Sequence, residues 1–105
     1  MLESRFQAAL IKELNEIFVG CIILKNDANY IQGFPDLLIL YKNKWAALEC
    51  KKSLEEAFQP NQEYYLEALN DMSYASVICP ENKEEVLHEV QQAFGVHRRA
   101  RFSRR

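Results

Sequence analysis

The sequence predicts an α/β domain whose elements run in the order αβββαβα. Three observations carry this. Apolar residues recur at helical spacing in three segments, four short apolar runs between those segments are too brief to be helices, and 105 residues leave room for one domain only. With 49% apolar and 27% charged residues, the composition is that of an ordinary globular protein.

The first helix is read from Leu2, Phe6, Leu10, Leu14, Ile17 and Phe18, whose spacing of three or four places them on one face. Val19 to Lys25 is short and β-branched, and Asn26-Asp27 follows it, so it reads as a strand ending in a turn. Asn29 to Phe34 fits neither period. Asp36 to Tyr41 and Trp45 to Lys51, separated by Lys42-Asn43-Lys44, read as a hairpin of two central strands, with Pro35 tolerated only at a strand's start. Gln62 to Met72 places Tyr65, Leu66, Leu69 and Met72 on one helical face behind Asn61, a candidate N-cap. Tyr74 to Cys79 is a fourth strand stopped by Pro80. Asn82 to Phe94 carries Val86, Val90, Ala93 and Phe94 on one stripe, with Glu81, Glu84 and Glu85 at the end where the helix dipole favours anions and Gly95 as its stop.

Charge divides the chain into residues 1–95, a single domain, and 96–105, a basic tail. The formal net charge of -2 hides 8 Lys/Arg against 15 Asp/Glu before His97, while the last nine residues hold 5 Arg and no acid. Phe18 to Leu24, the longest apolar run, falls short of the roughly 20 residues a membrane helix needs, and Glu3 and Arg5 stand where a signal peptide would be apolar. A cytoplasmic place and no membrane partner are expected. Cys21, Cys50 and Cys79 form no CxxC pair, which disfavours a zinc site or disulfide framework; each is expected as a small buried hydrophobe. His88 does not fall in a metal-ligand spacing pattern and is expected at the surface.

Most acids fall on exposed helical positions, but Asp36 and Glu49 sit on the two central strands. A carboxylate there is costly unless it is paired or binds a metal. Alternation along a strand puts Glu49 and Lys51 on one face and Cys50 on the other, and the hairpin brings Asp36 to the same end. Two carboxylates and an amine converge, a donor set suited to Mg²⁺ and to phosphodiester hydrolysis. The competing reading is a structural ion pair at a strand end.

Gly33-Phe34-Pro35-Asp36-Leu37, then Leu48-Glu49-Cys50-Lys51, then Gln62 opening the next helix, resemble the PD-(D/E)xK nuclease signature. Within that superfamily the pattern is most similar to the virus-type replication-repair nucleases (VRR-NUC), whose small stand-alone phage members resemble Holliday-junction resolvases. The resemblance spans roughly residues 3–94 and implies a restriction-endonuclease-like αβββαβ core with a mixed central sheet flanked by helices, plus a C-terminal helix. It implies that Asp36, Glu49 and the Cys50 backbone carbonyl hold Mg²⁺, with Mn²⁺ able to substitute, and that Lys51 is catalytic. It further implies that a first-helix glutamate, best matched by Glu3 rather than Glu13 or Glu16, joins the metal, and that Gln62 stands beside the site. Cys50 departs from the branched apolar residue commoner at its position, but its side chain faces away from the metal.

The expected function is therefore metal-dependent DNA endonuclease activity on branched DNA in phage-type replication, recombination or repair, in a bacterial or phage-infected cell. A homodimer is expected, with Trp45, Tyr64 and Tyr65 offering apolar surface, because so small a chain spans little of a four-way junction. Alternatives are a restriction-like or exonucleolytic enzyme on duplex DNA and a catalytically silent DNA-binding module. Lys52 and the tail residues Arg98, Arg99, Arg101, Arg104 and Arg105 are candidate phosphate contacts, with Phe102 among them to stack on a base. Deleting residues 97–105 should weaken DNA binding and flatten its dependence on salt; equal slopes of affinity against salt for the full and shortened chains would contradict this.

Overall fold

The computed structural model describes residues 3–96. The arginines proposed to contact phosphate, Phe102 and Leu2 therefore lie outside the described residues. Seven elements follow one another: α1 (Glu3–Ile17), β1 (Ile22–Lys25), β2 (Leu37–Tyr41), β3 (Lys44–Cys50), α2 (Gln62–Met72), β4 (Tyr74–Ile78) and α3 (Lys83–Ala93). They form one four-stranded sheet in the order β1-β2-β3-β4. The first two pairings are antiparallel and β3 pairs with β4 in parallel, so the sheet is mixed. A parallel neighbour requires a crossover, and α2 supplies it.

Strand alternation sorts the core into two layers. Leu37 and Ile39 of β2 and Ala46, Leu48 and Cys50 of β3 join Phe6, Leu10, Leu14 and Phe18 from α1 and its end, and Val86, Leu87, Val90 and Phe94 from α3 and its end, in the main core. Burying each large apolar side chain there contributes roughly 1.5–3 kcal/mol. Ala47, Leu69 and Ala75 make a smaller cluster on the opposite face, with Phe34, Leu38, Trp45, Tyr65 and Leu66 packed against it. Small alanines at Ala47 and Ala75 let α2 lie close to the sheet. Trp45 and Tyr65 are thus committed in part to packing within the chain, while Tyr64 on the next face of α2 is exposed.

Several sequence expectations shift at element ends. The first strand begins at Ile22 rather than Val19, because Gly20, at φ 92°, turns the chain out of α1 and leaves Val19 exposed. Cys21 consequently lies in that turn and is only half-buried, unlike Cys50 and Cys79; all three are free thiols. The fourth strand ends at Ile78, one residue before Cys79. Asn61 adopts a left-handed conformation and makes no side-chain cap, and Met72 is exposed instead of joining the inward face of α2. Glu81 is turned away from α3: its carboxylate accepts the Leu54 N–H at 2.8 Å. Gly95 does end α3, at φ 74°, where the Gly95 and Val96 N–H groups bond the Gln92 and Gln91 carbonyls at 3.1 and 2.8 Å in a Schellman arrangement.

The segment between β1 and β2, unreadable by period, is a series of turns held by Asn26. Its side-chain amide donates to the carbonyls of Ile31 and Phe34 at 3.2 and 3.4 Å, and its N–H bonds the Asp36 carbonyl at 2.8 Å. Gly33 within it has φ 89°, and a Cβ there would come within 2.6 Å of the Asn61 Cβ and 2.7 Å of the Pro60 carbonyl oxygen. Only glycine lets this turn touch the loop that leads into α2. Among the described residues no helix is long and apolar enough to cross a membrane.

Candidate active site

Register places the motif residues together. Leu37 pairs with Leu48, so Asp36 and Glu49 stand at the same end of the central hairpin, and β3 delivers Cys50 and Lys51 immediately beyond. Asp36 is fixed from both sides: its carbonyl takes the Asn26 N–H, and its Oδ2 accepts the Cys50 N–H at 2.9 Å. The Lys51 N–H bonds the Ile78 carbonyl at 3.0 Å, which holds the end of β3 against β4.

Glu49 and Lys51 are nearly sealed from solvent, at 3% and 2% exposure. Gln62, the first residue of α2, bridges them. Its Nε2 donates to Glu49 Oε2 at 2.9 Å, and its Oε1 accepts from Lys51 Nζ at 2.7 Å and from the Gln59 N–H at 2.7 Å. Two donors aimed at Oε1 fix which way the amide points, because the flipped form would turn an NH₂ toward an ammonium. Lys51 Nζ also donates to the Ala57 carbonyl at 3.2 Å and lies 4.0 Å from Glu49 Oε2 and 3.8 Å from Glu56 Oε2. Gln62 opens α2 at this point because Gly33 lets the Pro60-Asn61 loop settle against the turn before Asp36.

One buried atom is left over. Glu49 Oε1 has no hydrogen-bond partner among the described residues. An orphaned buried carboxylate oxygen carries a desolvation cost that a cation would remove. Burial, and after it the charge of Asp36, pushes the Glu49 carboxyl up to about 8, against the opposing influence of Lys51 and of the nearby Asp36 N–H, which makes no full hydrogen bond to Oε1. Burial likewise raises Asp36, although the Cys50 N–H and Lys51 pull it down. Glu3 is raised by burial and by the charges of Glu56 and Asp36. The Cys50 thiol, pushed up to about 12 chiefly by burial, stays protonated and packs in the main core, while its N–H meets Asp36.

The predicted residues separate into three groups. Asp36, Glu49, Lys51 and Gln62 form one constellation. Glu3 acts on Asp36 and Glu49 through its charge, but among the described residues no three Asp, Glu, His or Cys side chains stand ready as a cage for a metal ion. Glu13 is drawn off to α3, where Lys83 Nζ bonds it at 2.9 Å, and Glu16 is exposed, so neither reaches the site. Lys52 is exposed beside it and His88 is exposed on α3. The sequence reading missed Glu56, whose Oε1 accepts the Lys52 N–H at 2.7 Å and whose charge reaches Glu3, Asp36 and Lys51. Its position in an irregular loop, next to the exposed Glu55, gave no periodic signal.

No protein-family model matches the chain, and no curated protein matches it. Among solved structures, a chain described as a VRR_NUC domain protein superposes with a TM-score of 0.61 at 18% identity, covering 89% of this chain and 90% of that one. The fold is therefore VRR-NUC-like, an α/β architecture with a mixed sheet between helices.

The raised Glu49 carboxyl has a consequence for stability. Between its ordinary value of 4.5 and about 8, the folded chain keeps a proton that the unfolded chain has lost. Stability falls with rising pH wherever the folded state binds more protons, so the loss begins above the ordinary carboxylate range and is complete once the pH passes about 8. In chelator, the melting temperature should decline from about pH 5 to about pH 8.5, and Glu49→Gln should remove most of that decline. A wild-type melting temperature that climbs across the same range would contradict the assignment.

Proposed function

We propose that this chain is a metal-dependent DNA endonuclease that hydrolyses phosphodiester bonds and is selective for branched, junction-like DNA, working as a homodimer. The observation that carries the reading is the buried Glu49 carboxylate, with one oxygen unpartnered, set beside Asp36 and a buried lysine. A purely structural ion pair would be expected to satisfy both carboxylate oxygens. The likeness to a solved VRR_NUC domain protein supports nuclease chemistry by analogy of fold.

Asp36, Glu49 and the Cys50 carbonyl would hold Mg²⁺ or Mn²⁺, with Glu3 adding negative charge nearby; the hard-oxygen donors fit such an ion, which usually keeps several waters. When bound, the ion lowers the pKa of a water and neutralises charge on the phosphate. Lys51 presents an ammonium whose direction is set by Gln62 Oε1 and the Ala57 carbonyl. Its charge stabilises the extra negative charge that grows on the phosphoryl oxygens, and because the group is already oriented, little reorganisation is needed as the reaction proceeds. Gln62 keeps Glu49 and Lys51 from collapsing into a direct contact, leaving Glu49 Oε1 open. Lys52 is exposed next to Lys51, and in this reading it meets a neighbouring phosphate.

The test is cleavage of a four-way junction, a flap, a nicked duplex and a linear duplex in Mg²⁺. Wild type should cut the junction in preference to the linear duplex. Asp36→Asn and Glu49→Gln should abolish cutting while DNA binding persists, and Lys51→Ala should lower the rate by roughly 100-fold to 1,000-fold, the scale of losing one preorganised electrostatic group. Variants that cut as wild type does would overturn the catalytic assignment, and preferential cutting of linear ends would replace junction selectivity with exonucleolytic action.

A further inference from the structure

The loop between β3 and α2 carries an aromatic side chain that the site's chemistry does not use. Phe58 is 46% exposed, yet its ring lies under Lys51, with Nζ 5.6 Å from the ring centre. The loop that presents it is pinned along its length. Lys52 N–H bonds Glu56 at 2.7 Å, Leu54 N–H bonds Glu81 at 2.8 Å, Glu55 N–H bonds the Ser53 hydroxyl at 3.3 Å, and Gln59 N–H bonds Gln62 at 2.7 Å. The carbonyl of Ala57, directly before Phe58, is taken by Lys51 Nζ at 3.2 Å. The backbone on either side of Phe58 is therefore anchored, at the Ala57 carbonyl by Lys51 and at the Gln59 N–H by Gln62, while the ring itself stays 46% exposed.

We propose that Phe58 stacks on the nucleobase adjacent to the cleaved phosphate and so selects DNA whose strands are already unpaired at the cut. This rests on the nuclease reading of the same site. A phosphodiester presented to Lys51 brings with it a base on the neighbouring sugar, and Phe58, 46% exposed with its ring centre 5.6 Å from Lys51 Nζ, offers an aromatic surface near that group. Glu55, exposed on the same loop, disfavours a phosphate against the ring, and a neutral base face is the part of the strand suited to an aromatic surface. In a continuous duplex that base is occupied by its own stack. At a junction, flap or frayed end it is free, and stacking on an aromatic ring tolerates any sequence because every base has a π-face.

The experiment measures affinity by fluorescence anisotropy, with the full chain in Ca²⁺ and with a four-way junction, a splayed fork and a linear duplex as probes, and cleavage rates in Mg²⁺. Phe58→Leu keeps an apolar cover over Lys51 and removes the π-face. It should weaken binding to the fork and junction about 10-fold while duplex binding changes less than about twofold, and Phe58→Trp should match or exceed wild type on the branched probes. If Phe58→Leu binds all three probes as wild type does, or loses affinity for all three equally, the ring is only a shield for Lys51 and the proposal is overturned. Phe58→Trp tests the same point from the opposite direction, since a shield gains nothing from a larger ring surface. A wild-type chain that binds the fork through Phe58 but cuts no DNA would sink the nuclease reading while leaving the stacking result intact.

Discussion

The site depends on a carboxylate and an ammonium buried two residues apart at the end of one strand. Glu49 and Lys51 share the face of β3 that α2 covers, and the two-residue alternation of a strand makes this pairing automatic once the motif is written Glu-x-Lys. Burying both groups in their charged forms is expensive, and a direct ion pair alone seldom repays the desolvation. Here the cost is reduced by Gln62, which gives a donor to one partner and an acceptor to the other, and by the Ala57 carbonyl. Gln62 in turn requires α2 to begin where it does, which requires the close approach of the Pro60-Asn61 loop to Gly33, in the turn that leads to Asp36. The motif's two halves, far apart in sequence, are thus mechanically one object.

What that arrangement leaves undone is as informative as what it achieves. Three carboxylic acids, Glu3, Asp36 and Glu49, are raised first by burial, and the deepest, Glu49, keeps an oxygen without a hydrogen-bond partner among the described residues. A fold selected only for stability would gain by replacing Glu49 with an apolar residue of similar volume. Retaining it makes sense where a cation arrives to complete the coordination, and the acidic body of the protein then becomes an orienting field: phosphate is repelled from the helices and admitted only where positive charge is supplied.

Much of this was legible in the sequence. The element order and the two central strands followed from period and length, and Asp36, Glu49 and Lys51 stand out from the sequence because their spacing on strands has geometric consequences, whereas Gln62 entered only through the resemblance to a nuclease family. The boundary at Val19 moved because Gly20 turns the chain, and that at Cys79 because the Asn82 side chain takes the Cys79 N–H at 2.8 Å. Asn61 misled because its residue type favours both a cap and a left-handed turn, and close packing against Gly33 selected the turn. Met72 lay on the right helical stripe but is the last residue of α2 and stays exposed. Glu56, Ala57 and Phe58 were invisible since loop contacts have no period; only the folded position of Lys51 reveals what surrounds it.

If Glu49 and Asp36 together await a divalent ion, diffraction from crystals soaked in Mn²⁺ and recorded at the manganese edge locates that ion directly. The predicted result is an anomalous peak about 2 Å from Glu49 Oε1 and from an Asp36 carboxylate oxygen, lost in Glu49→Gln. Manganese absent from this position while Glu49, Gln62 and Lys51 keep their present contacts would contradict it.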